Sequence, residues 1–249
     1  MQSREFRNIV SHRTSKKQEV PKADICVIIP AFNEAKSITS VIEDIPDDLV
    51  REVIVVNNAS DDKTVLRARQ AGATVLDEPR RGYGYACLKG IAYAKKMESP
   101  PEIIVFLDAD YSDSPDEMDR IVKPIIKDDI DMVIGSRAIG DREKGAMKPQ
   151  QIFGNWLATR LMRVFYDVYF TDLGPFRAIK FDKLLDLNMQ DKTFGWTVEM
   201  QLKAAKKGLS FTEVPVSYKR RIGVSKVSGT LSGTIKAGCK IIYTIFKYL

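Results

Sequence analysis

The feature that most constrains the fold of this sequence is a regular alternation of short apolar runs with segments of helical periodicity. Five strand-like runs in the first half are separated by helix-like segments; they are ICVIIP, REVIVVN, ATVLDE, EIIVFLD and DMVIGS. Strands that alternate with helices in this way form βαβ units around a parallel sheet. We therefore predict an α/β fold with a mainly parallel central sheet flanked by helices.

The second half of the chain has a less regular pattern. QIFGNWLATRLMRVFYDVYF (151–170) predicts a long helix rich in aromatic residues, FRAIKF a short strand, and VEMQLKAAKKG a helix that ends at Gly208. SFTEVPVSYKRR predicts an edge strand, since Pro215 has no N–H to donate to a neighbouring strand. We divide the chain into a basic N-terminal arm at 1–22, a main domain at 23–230 and an amphipathic C-terminal helix at 231–249.

Composition narrows the class of protein. With 249 residues, 44% of them hydrophobic, the chain is long enough for one substantial core. The excess of 39 Lys and Arg over 33 Asp and Glu suits anionic partners or simple solubility. Three scattered cysteines fit a reducing cytoplasm, and no apolar run reaches the roughly 18–20 residues of a membrane span. No basic stripe is interleaved with stacking aromatics, so a nucleic-acid binder is the class least expected.

Acidic residues follow the fourth strand-like run, in FLDADYSDSP. Alternate residues that leave a strand point to the same side, so Asp108 and Asp110 can converge at its carboxyl end. Converging carboxylates repel each other unless a cation lies between them, and Mg²⁺ or Mn²⁺ suits such oxygen ligands. The alternative is that Asp110, Ser112 or Ser114 only caps a helix that begins at Pro115. Capping near Ser114 leaves Asp108 and Asp110 unexplained, and neither interpretation assigns a role to Asp113.

Several ordered blocks together resemble family 2 glycosyltransferases. They are VIIPAFNEAKSI, VIVVNNASDDKT, GYGYACLKG, FLDADYSDSP, VIGSR, TDLGPFRAI, GWTVEMQLKAAKKG and EVPVSYKRRIGVSK. More closely, the chain is similar to dolichyl-phosphate and polyprenyl-phosphate mannosyl- or glucosyltransferases. The resemblance implies a GT-A fold at 23–230, a UDP- or GDP-sugar donor, a polyprenyl phosphate acceptor, an inverting reaction and Mg²⁺ or Mn²⁺. The QxxRW motif of processive synthases is absent, which indicates transfer of a single sugar.

The resemblance also assigns residues to the donor. It implies nucleotide-sugar contacts at Pro30, Ala31, Asn33, Glu34, Asn57, Asn58, Arg81, Gly82, Gly84, Lys89, Asp108, Ala109, Asp110 and Ser225, with the metal on Asp108 and Asp110. Asn57 and Asn58 stand where the family more often has Asp, so uracil and guanine both stay open as the base. The alternative role of Gly82 and Gly84 is to form a turn. The alternative role of the segment 57–62 is to cap a helix.

The resemblance and the chemistry of transfer together select the catalytic candidates. Growing charge on the leaving diphosphate calls for cations, and Arg137, Arg221 and Lys226 are the candidates, with Asp110 as metal ligand. A lipid phosphate attacks without a base, whereas a hydroxyl acceptor needs a carboxylate such as Asp172 or Glu199. Structural alternatives are a turn cap for Asp172, an ion pair with Lys203 for Glu199 and a solvated charge run at 219–221.

Two amphipathic segments favour a membrane surface. On a helical wheel of 231–249, one face carries Leu231, Ile235, Ile242, Ile245, Phe246 and Leu249, and the other Lys236, Lys240 and Lys247. The segment 152–170 adds a second aromatic surface, and its charged residues Arg160, Arg163 and Asp167 cluster away from that surface. We predict a cytoplasmic enzyme, peripheral on the inner face of a membrane; packing of these helices on their own core is the alternative. A hydroxyl-acceptor transferase, a nucleotidyltransferase and a non-catalytic nucleotide-sugar-binding module stay open as other functions.

Overall fold

A computed structural model describes residues 23–223 and 231–249 as a seven-stranded sheet with helices on both faces. The strands are β1 (Ile25–Ala31), β2 (Glu52–Asn57), β3 (Thr74–Asp77), β4 (Ile103–Phe106), β5 (Met132–Ser136), β6 (Arg177–Lys180) and β7 (Phe211–Pro215). The helices are α1 (Ile38–Glu43), α2 (Thr64–Gln70), α3 (Tyr83–Ala94), α4 (Met118–Asp128), α5 (Pro149–Tyr166), α6 (Phe181–Asp186), α7 (Trp196–Lys206) and α8 (Leu231–Lys247). The predicted α/β fold is confirmed.

The sheet has the order β3-β2-β1-β4-β6-β5-β7. Every pairing is parallel except the two made by β6, which runs antiparallel to β4 and to β5. β7 lies at one edge, which agrees with the position predicted from Pro215. The carboxyl ends of β1, β2, β4 and β5 therefore open toward the same rim of the sheet.

Two apolar layers hold the sheet between its helices. Alternate residues of β1 point to opposite faces: Cys26 and Ile28 enter the layer under α3, α5, α7 and α8, while Val27 and Ile29 enter the layer under α1, α2 and α4. All four of these β1 side chains are fully buried. A strand that is apolar on both faces is the expected form for the centre of a parallel sheet.

Several predicted helix ends are wrong. The aromatic helix α5 stops at Tyr166 rather than at residue 170, because Asp167 adopts a left-handed backbone conformation with φ of 53°. Neither Ser60 nor Asp61 caps α2, which begins at Thr64 with the Asp62 carboxylate accepting from its backbone N–H. Ser114 forms no side-chain cap, and Pro115 begins a short 3₁₀ turn, Pro115–Glu117, ahead of α4.

The C-terminal helix α8 packs on the protein's own core. Ile245, placed by the helical wheel on the membrane-facing side, is fully buried, and Tyr166 of α5 donates a hydrogen bond to its carbonyl. Lys240 pairs with Asp191 at 2.8 Å. Ile235, Tyr243, Phe246 and Leu249 stay about half exposed. Among the described residues, no helix is long and apolar enough to cross a bilayer.

Candidate active site

A cavity of about 600 Å³ opens at the carboxyl ends of β1, β4 and β5. Eleven of the residues predicted to form the site line it, namely Pro30, Ala31, Glu34, Asn58, Arg81, Gly82, Asp108, Ala109, Asp110, Arg137 and Arg221. Open parallel sheets place ligand sites at this rim, because the loops that follow the strands are free to diverge there. The topology thus brings together residues that are spread over almost 200 positions of the sequence.

Asp108 and Asp110 form the acidic part of the cavity. Burial, together with the negative charge of Asp110, raises the pKa of Asp108 to about 7. Asp108 Oδ1 is buried and has no hydrogen-bond partner among the described residues. An unsatisfied buried carboxylate oxygen beside a second carboxylate is a position that a cation would stabilise.

The carboxylates of Asp108 and Asp110 suit a divalent metal ion such as Mg²⁺. Within residues 23–223 and 231–249, no group of three Asp, Glu, His or Cys residues is arranged to hold a metal ion. The pair would supply two ligands, and Mg²⁺ typically binds one or two carboxylates and completes its shell with substrate phosphates and water. Such a site is complete only when a phosphate-bearing substrate is present.

Arg221 closes over these carboxylates from the segment that follows β7. Its guanidinium lies 3.1 Å from Asp110 Oδ2 and 2.9 Å from Glu34 Oε1. The Ile222 N–H donates to the Asp110 carbonyl at 2.9 Å, so the backbone of this segment is fixed at the same point. The loops after β1, β4 and β7 are thereby joined through a single cation.

Arg137 is the second cation and is held by Asp172. Arg137 Nε and Nη2 donate to the two oxygens of Asp172 at 2.7 Å each, and the Arg137 backbone N–H adds a third bond at 2.8 Å. The guanidinium also stacks 5.0 Å from the ring of Tyr218. The Asp172 carboxylate holds the pKa of Arg137 well above its ordinary value against the opposing effect of burial. Both Asp172 oxygens are thus committed to orienting one cation at the cavity.

Four elements fix the loop that carries Asp172. The Glu213 carboxylate of β7 accepts from the Thr171 and Asp172 N–H groups, Asn155 of α5 bonds Thr171 and Leu173, and Gln201 of α7 donates to the Asp172 carbonyl. The fully buried Arg177 of β6 donates to the carbonyls of Leu173, Gly174 and Thr197. A loop with this many buried bonds holds the Arg137–Asp172 pair rigidly.

Asn33, Asn57 and Asn58, at the carboxyl ends of β1 and β2, form hydrogen bonds that connect neighbouring loops. Asn33 and Asp61 exchange side-chain and backbone bonds at 2.6 and 2.9 Å, and Asn57 donates to Asp77 at 2.8 Å. Asn58 donates to the carbonyls of Glu78 and Arg80 and accepts from the Gly82 N–H at 2.7 Å. Asn58 lines the cavity, whereas Asn33 and Asn57 do not.

The glycine-rich loop leads into α3 at the cavity rim. The helix begins at Tyr83, so Gly82 directly precedes it and Gly84 lies in its first turn. A Cβ added to Gly84 would lie 2.1 Å from the Asp191 carbonyl oxygen, so the close approach of two backbones requires glycine there. Arg81 stacks on Phe32 at 4.6 Å, and both side chains line the cavity. The planar guanidinium of Arg81 and the ring of Phe32 are suited to stacking on a planar base.

Several predicted residues lie away from the cavity. Glu199 is fully buried and is bonded by the N–H groups of Gln190 and Asp191, by Tyr248 and by Lys203 at 2.7 Å. That ion pair is the structural alternative given for Glu199 above. Lys89 is exposed on α3 and does not line the cavity, while Ser225 and Lys226 lie outside the described residues.

Sequence reasoning missed part of the lining. Phe32, Tyr83, Gln150, Gln151, Asn155, Thr193, Phe194, Thr197 and Tyr218 all face the cavity. Phe32 lies between the assigned residues Ala31 and Asn33 in the PAFNE segment, so its position in the sequence could have predicted its place in the site. Asn155 and Gln151 come from α5, whose aromatic pattern gave no sign of a polar face toward the site.

Comparison of the sequence with known proteins gives a consistent result. Residues 26–187 match the model of the family described as glycosyl transferase family 2. An uncharacterized glycosyltransferase of Mycobacterium tuberculosis is 32% identical over 86% of this chain and 94% of its own length. An undecaprenyl-phosphate mannosyltransferase of Micrococcus luteus (28%) and a dolichyl-phosphate hexose transferase of Haloferax volcanii (29%) each match 84% of the chain and 89% of their own length.

Solved structures with a similar fold include glucosyl-3-phosphoglycerate synthase of Mycobacterium tuberculosis. Its complex with Mn²⁺, uridine diphosphate and phosphoglyceric acid has a TM-score of 0.72 at 21% identity and covers 91% of this chain and 78% of that one. Its complex with Mg²⁺ and uridine diphosphate has a TM-score of 0.70 at 22% identity and covers 91% of this chain and 79% of that one. The predicted GT-A architecture is thereby confirmed.

Proposed function

Since the chain belongs to glycosyl transferase family 2, we propose that it transfers one hexose from a nucleoside diphosphate sugar to a polyprenyl phosphate, with inversion and with the help of a divalent metal. The observation that carries the proposal is the cavity in which two carboxylates and two cations, Asp108, Asp110, Arg137 and Arg221, face one space. The curated relatives named for transfer to undecaprenyl and dolichyl phosphate support the choice of acceptor.

The donor occupies the side of the cavity formed by the loops after β1, β3 and β4. The base lies near Phe32 and Arg81, and Asp108 and Asp110 would hold the metal ion on the diphosphate. When bound, a divalent ion supplies Lewis-acid stabilisation of the negative charge on the departing diphosphate. Arg221 moves from the carboxylates to the phosphate oxygens when the donor enters, because it then exchanges one anionic partner for another. UDP and GDP both fit this description of the base site.

The acceptor side favours an ionised nucleophile. A hydroxyl acceptor requires a carboxylate that can take its proton. Among the described residues, the carboxylates that line the cavity are Glu34, Asp108 and Asp110, and Glu34 is ion-paired with Arg221. Asp172 is committed to Arg137, and Glu199 lies away from the cavity. A phosphate monoester carries its own negative charge and attacks without a base.

Inversion follows from a single displacement. A phosphate oxygen of the acceptor forms a bond to the anomeric carbon while the bond from that carbon to the diphosphate oxygen breaks. The electron pair leaves with the nucleoside diphosphate, and no proton is transferred. Arg137 is placed to bind the anionic acceptor and to stabilise charge during this step, since its orientation is fixed before substrate arrives.

We further propose that the enzyme works at a membrane surface, with residues 23–230 as the catalytic domain and α8 as the element beside the bilayer. A polyprenyl chain lies in a bilayer, so a chain with this acceptor has to reach the headgroup region. The half-exposed residues Tyr243 and Phe246 of α8, Leu249 just after it, and the exposed Phe153 and Trp156 of α5 support this placement. Tyrosine and tryptophan, which have an apolar ring and one polar group, are suited to that region, and the phenylalanines add apolar contact area.

The function can be tested with purified protein, Mn²⁺ or Mg²⁺, a panel of UDP- and GDP-sugars and a polyprenyl phosphate in detergent. We expect release of nucleoside diphosphate together with one labelled glycolipid, and NMR of the product to show an inverted anomeric configuration. The matching polyprenol without its phosphate is the acceptor control and is expected to give no product. Product from the polyprenol, or release of pyrophosphate, would refute the proposal in favour of a hydroxyl-acceptor transferase or a nucleotidyltransferase.

The strand β4 offers a matched pair of variants for this assay. Asp108→Asn removes a carboxylate at the carboxyl end of the strand and is expected to lower kcat by at least about 10²-fold. Glu102→Gln removes the exposed carboxylate just before the other end of β4 and is expected to leave turnover unchanged. Equal activity of the two variants would exclude Asp108 as a ligand of the catalytic metal.

A further inference from the structure

A second cleft lies beside the cavity, along the outer side of α5. It has a volume of about 410 Å³ and shares Met147 and Asn155 with the first cavity. Its other wall is the loop after β5, which contributes Ile139 and Arg142. The two openings are therefore adjacent on one side of the molecule.

Three arginines line this cleft. Arg160 and Arg163 come from α5 and Arg142 from the facing loop. Among the described residues, none of the three forms an ion pair: the contacts they make are those of Arg142 with Met147 Sδ and of Arg163 with the ring of Tyr169. The one carboxylate of the cleft, Asp172, is already neutralised by Arg137. The cleft thus holds three positive charges without a counterion among residues 23–223 and 231–249.

Apolar and aromatic side chains form the rim of the same cleft. Ile139, Ile152, Trp156 and Tyr169 line it, and all four are between 42% and 64% exposed. The sequence pattern of 152–170 placed Arg160 and Arg163 apart from the aromatic surface, whereas the fold brings them into the same cleft as Trp156 and Tyr169. Exposed aromatic side chains suit the acyl boundary of a bilayer, and the arginines beside them suit the plane of its phosphate groups.

We propose that this cleft binds the phosphate group of an anionic phospholipid headgroup and so orients the enzyme with its catalytic cavity toward the membrane. A guanidinium binds phosphate in a bidentate manner, and arginines on opposite walls reach one headgroup from both sides. Trp156 and Ile152 then contact the glycerol and the first acyl carbons. The inference builds on the proposed function only in its choice of a membrane as partner; the headgroup is distinct from the acceptor lipid.

Vesicle flotation without any polyprenyl phosphate tests the cleft alone. The unmodified protein is expected to bind vesicles of phosphatidylglycerol and phosphatidylcholine at least about 10-fold more tightly than vesicles of phosphatidylcholine. The triple variant Arg142→Gln, Arg160→Gln, Arg163→Gln is expected to lose roughly 100-fold in binding to the anionic vesicles, about fivefold for each arginine. A second variant, Trp156→Ala, is expected to weaken binding to both vesicle types.

A control variant separates this cleft from general attraction between a basic protein and an anionic surface. Arg69→Gln, Lys123→Gln, Lys127→Gln removes the same charge from exposed positions of α2 and α4. Equal losses in the two triple variants, or equal binding of the unmodified protein to both vesicle types, would overturn the proposal. Transfer to an acceptor in detergent is expected to persist in the cleft variant, so a failed vesicle test and a failed proposed function give different results.

Discussion

At the scale of single residues, the site depends on which carboxylates are occupied by protein cations. Asp172 is fully buried and gives both oxygens to Arg137, whereas one buried oxygen of Asp108 has no partner in the part of the chain that the structure describes. The first carboxylate therefore orients a cation, and the second is available to a ligand. The same chemical group has opposite roles because its surroundings differ.

Asp172→Asn tests the orienting role. We expect kcat to fall by about 10²-fold, because Arg137 loses its charged partner and its fixed direction. The acid limb of the pH–rate profile should stay near the second pKa of the acceptor phosphate, about 6, since the acceptor itself supplies the attacking anion. Arg137→Gln should give a similar loss, and the double variant much less than the sum of the two. Disappearance of the acid limb in Asp172→Asn would instead identify this residue as a base.

Asp113 offers a second test at this scale, one of stability. Burial, reinforced by the negative charge of Asp108, raises the pKa of Asp113 well above its ordinary value, and neither carboxyl oxygen has a partner among the described residues. The folded state then keeps a proton that the unfolded chain releases near pH 4. The free energy of unfolding therefore decreases as the pH rises from about 4 toward the pKa of the folded state.

Asp113→Asn should remove this pH dependence. We expect a higher Tm than that of the unmodified protein at pH 8, by about 2–4 °C for each kcal/mol regained, and little difference at pH 4. Thermal unfolding at both pH values measures the effect. Asp116→Asn, an exposed position three residues later, serves as the control. Parallel Tm profiles for Asp113→Asn and the unmodified protein would show that the buried carboxyl carries no such cost.

At the scale of elements, local pattern was enough for the strands and for most helices. Strand β7 was predicted at an edge from a single proline, and i,i+4 spacing gave the Glu199–Lys203 pair as the alternative to a catalytic role, since both depend on near neighbours in the sequence. The roles of Asp172 and Arg221 could not be predicted in this way. Their partners lie 35 and 187 positions away, and only the tertiary fold brings these side chains together.

The start of α3 carries a prediction about backbone packing. Gly84→Ala should lower stability by about 1–3 kcal/mol, because the new Cβ would meet the Asp191 backbone, and it should weaken donor binding at the adjacent cavity rim. Urea unfolding and nucleotide titration measure the two effects. Gly154→Ala on α5 is the matched control: its Cβ has no neighbour within 4 Å, so stability should rise by about 0.5–1 kcal/mol. Unchanged stability of Gly84→Ala would contradict the close approach of the two backbones.

At the scale of the whole molecule, the cavity and the second cleft both border α5. The amino-terminal turns of this helix face the donor and acceptor space through Gln150, Gln151 and Asn155, and its later turns carry the arginines of the cleft. Its last turns reach α8, where Phe165 packs on Phe246 with ring centroids 5.3 Å apart. One helix therefore connects the reaction site to the surface proposed to meet the membrane.

The C-terminal helix supports the last prediction, which concerns the integrity of the domain. Removal of residues 231–249 takes away the buried Ile245, the Tyr248 hydroxyl that donates to Glu199 and the Lys240 partner of Asp191. We expect a loss of at least about 3 kcal/mol in the free energy of unfolding, from exposed core and from the buried Glu199 left with fewer bonds. Urea unfolding followed by circular dichroism gives the value. The variant Ile235→Ser, Tyr243→Ser keeps the helix and alters two of its exposed side chains, so it should unfold close to the unmodified protein and lose binding to neutral vesicles. A truncated chain as stable as the full one would show instead that α8 is an appendage, free to leave the core for the membrane.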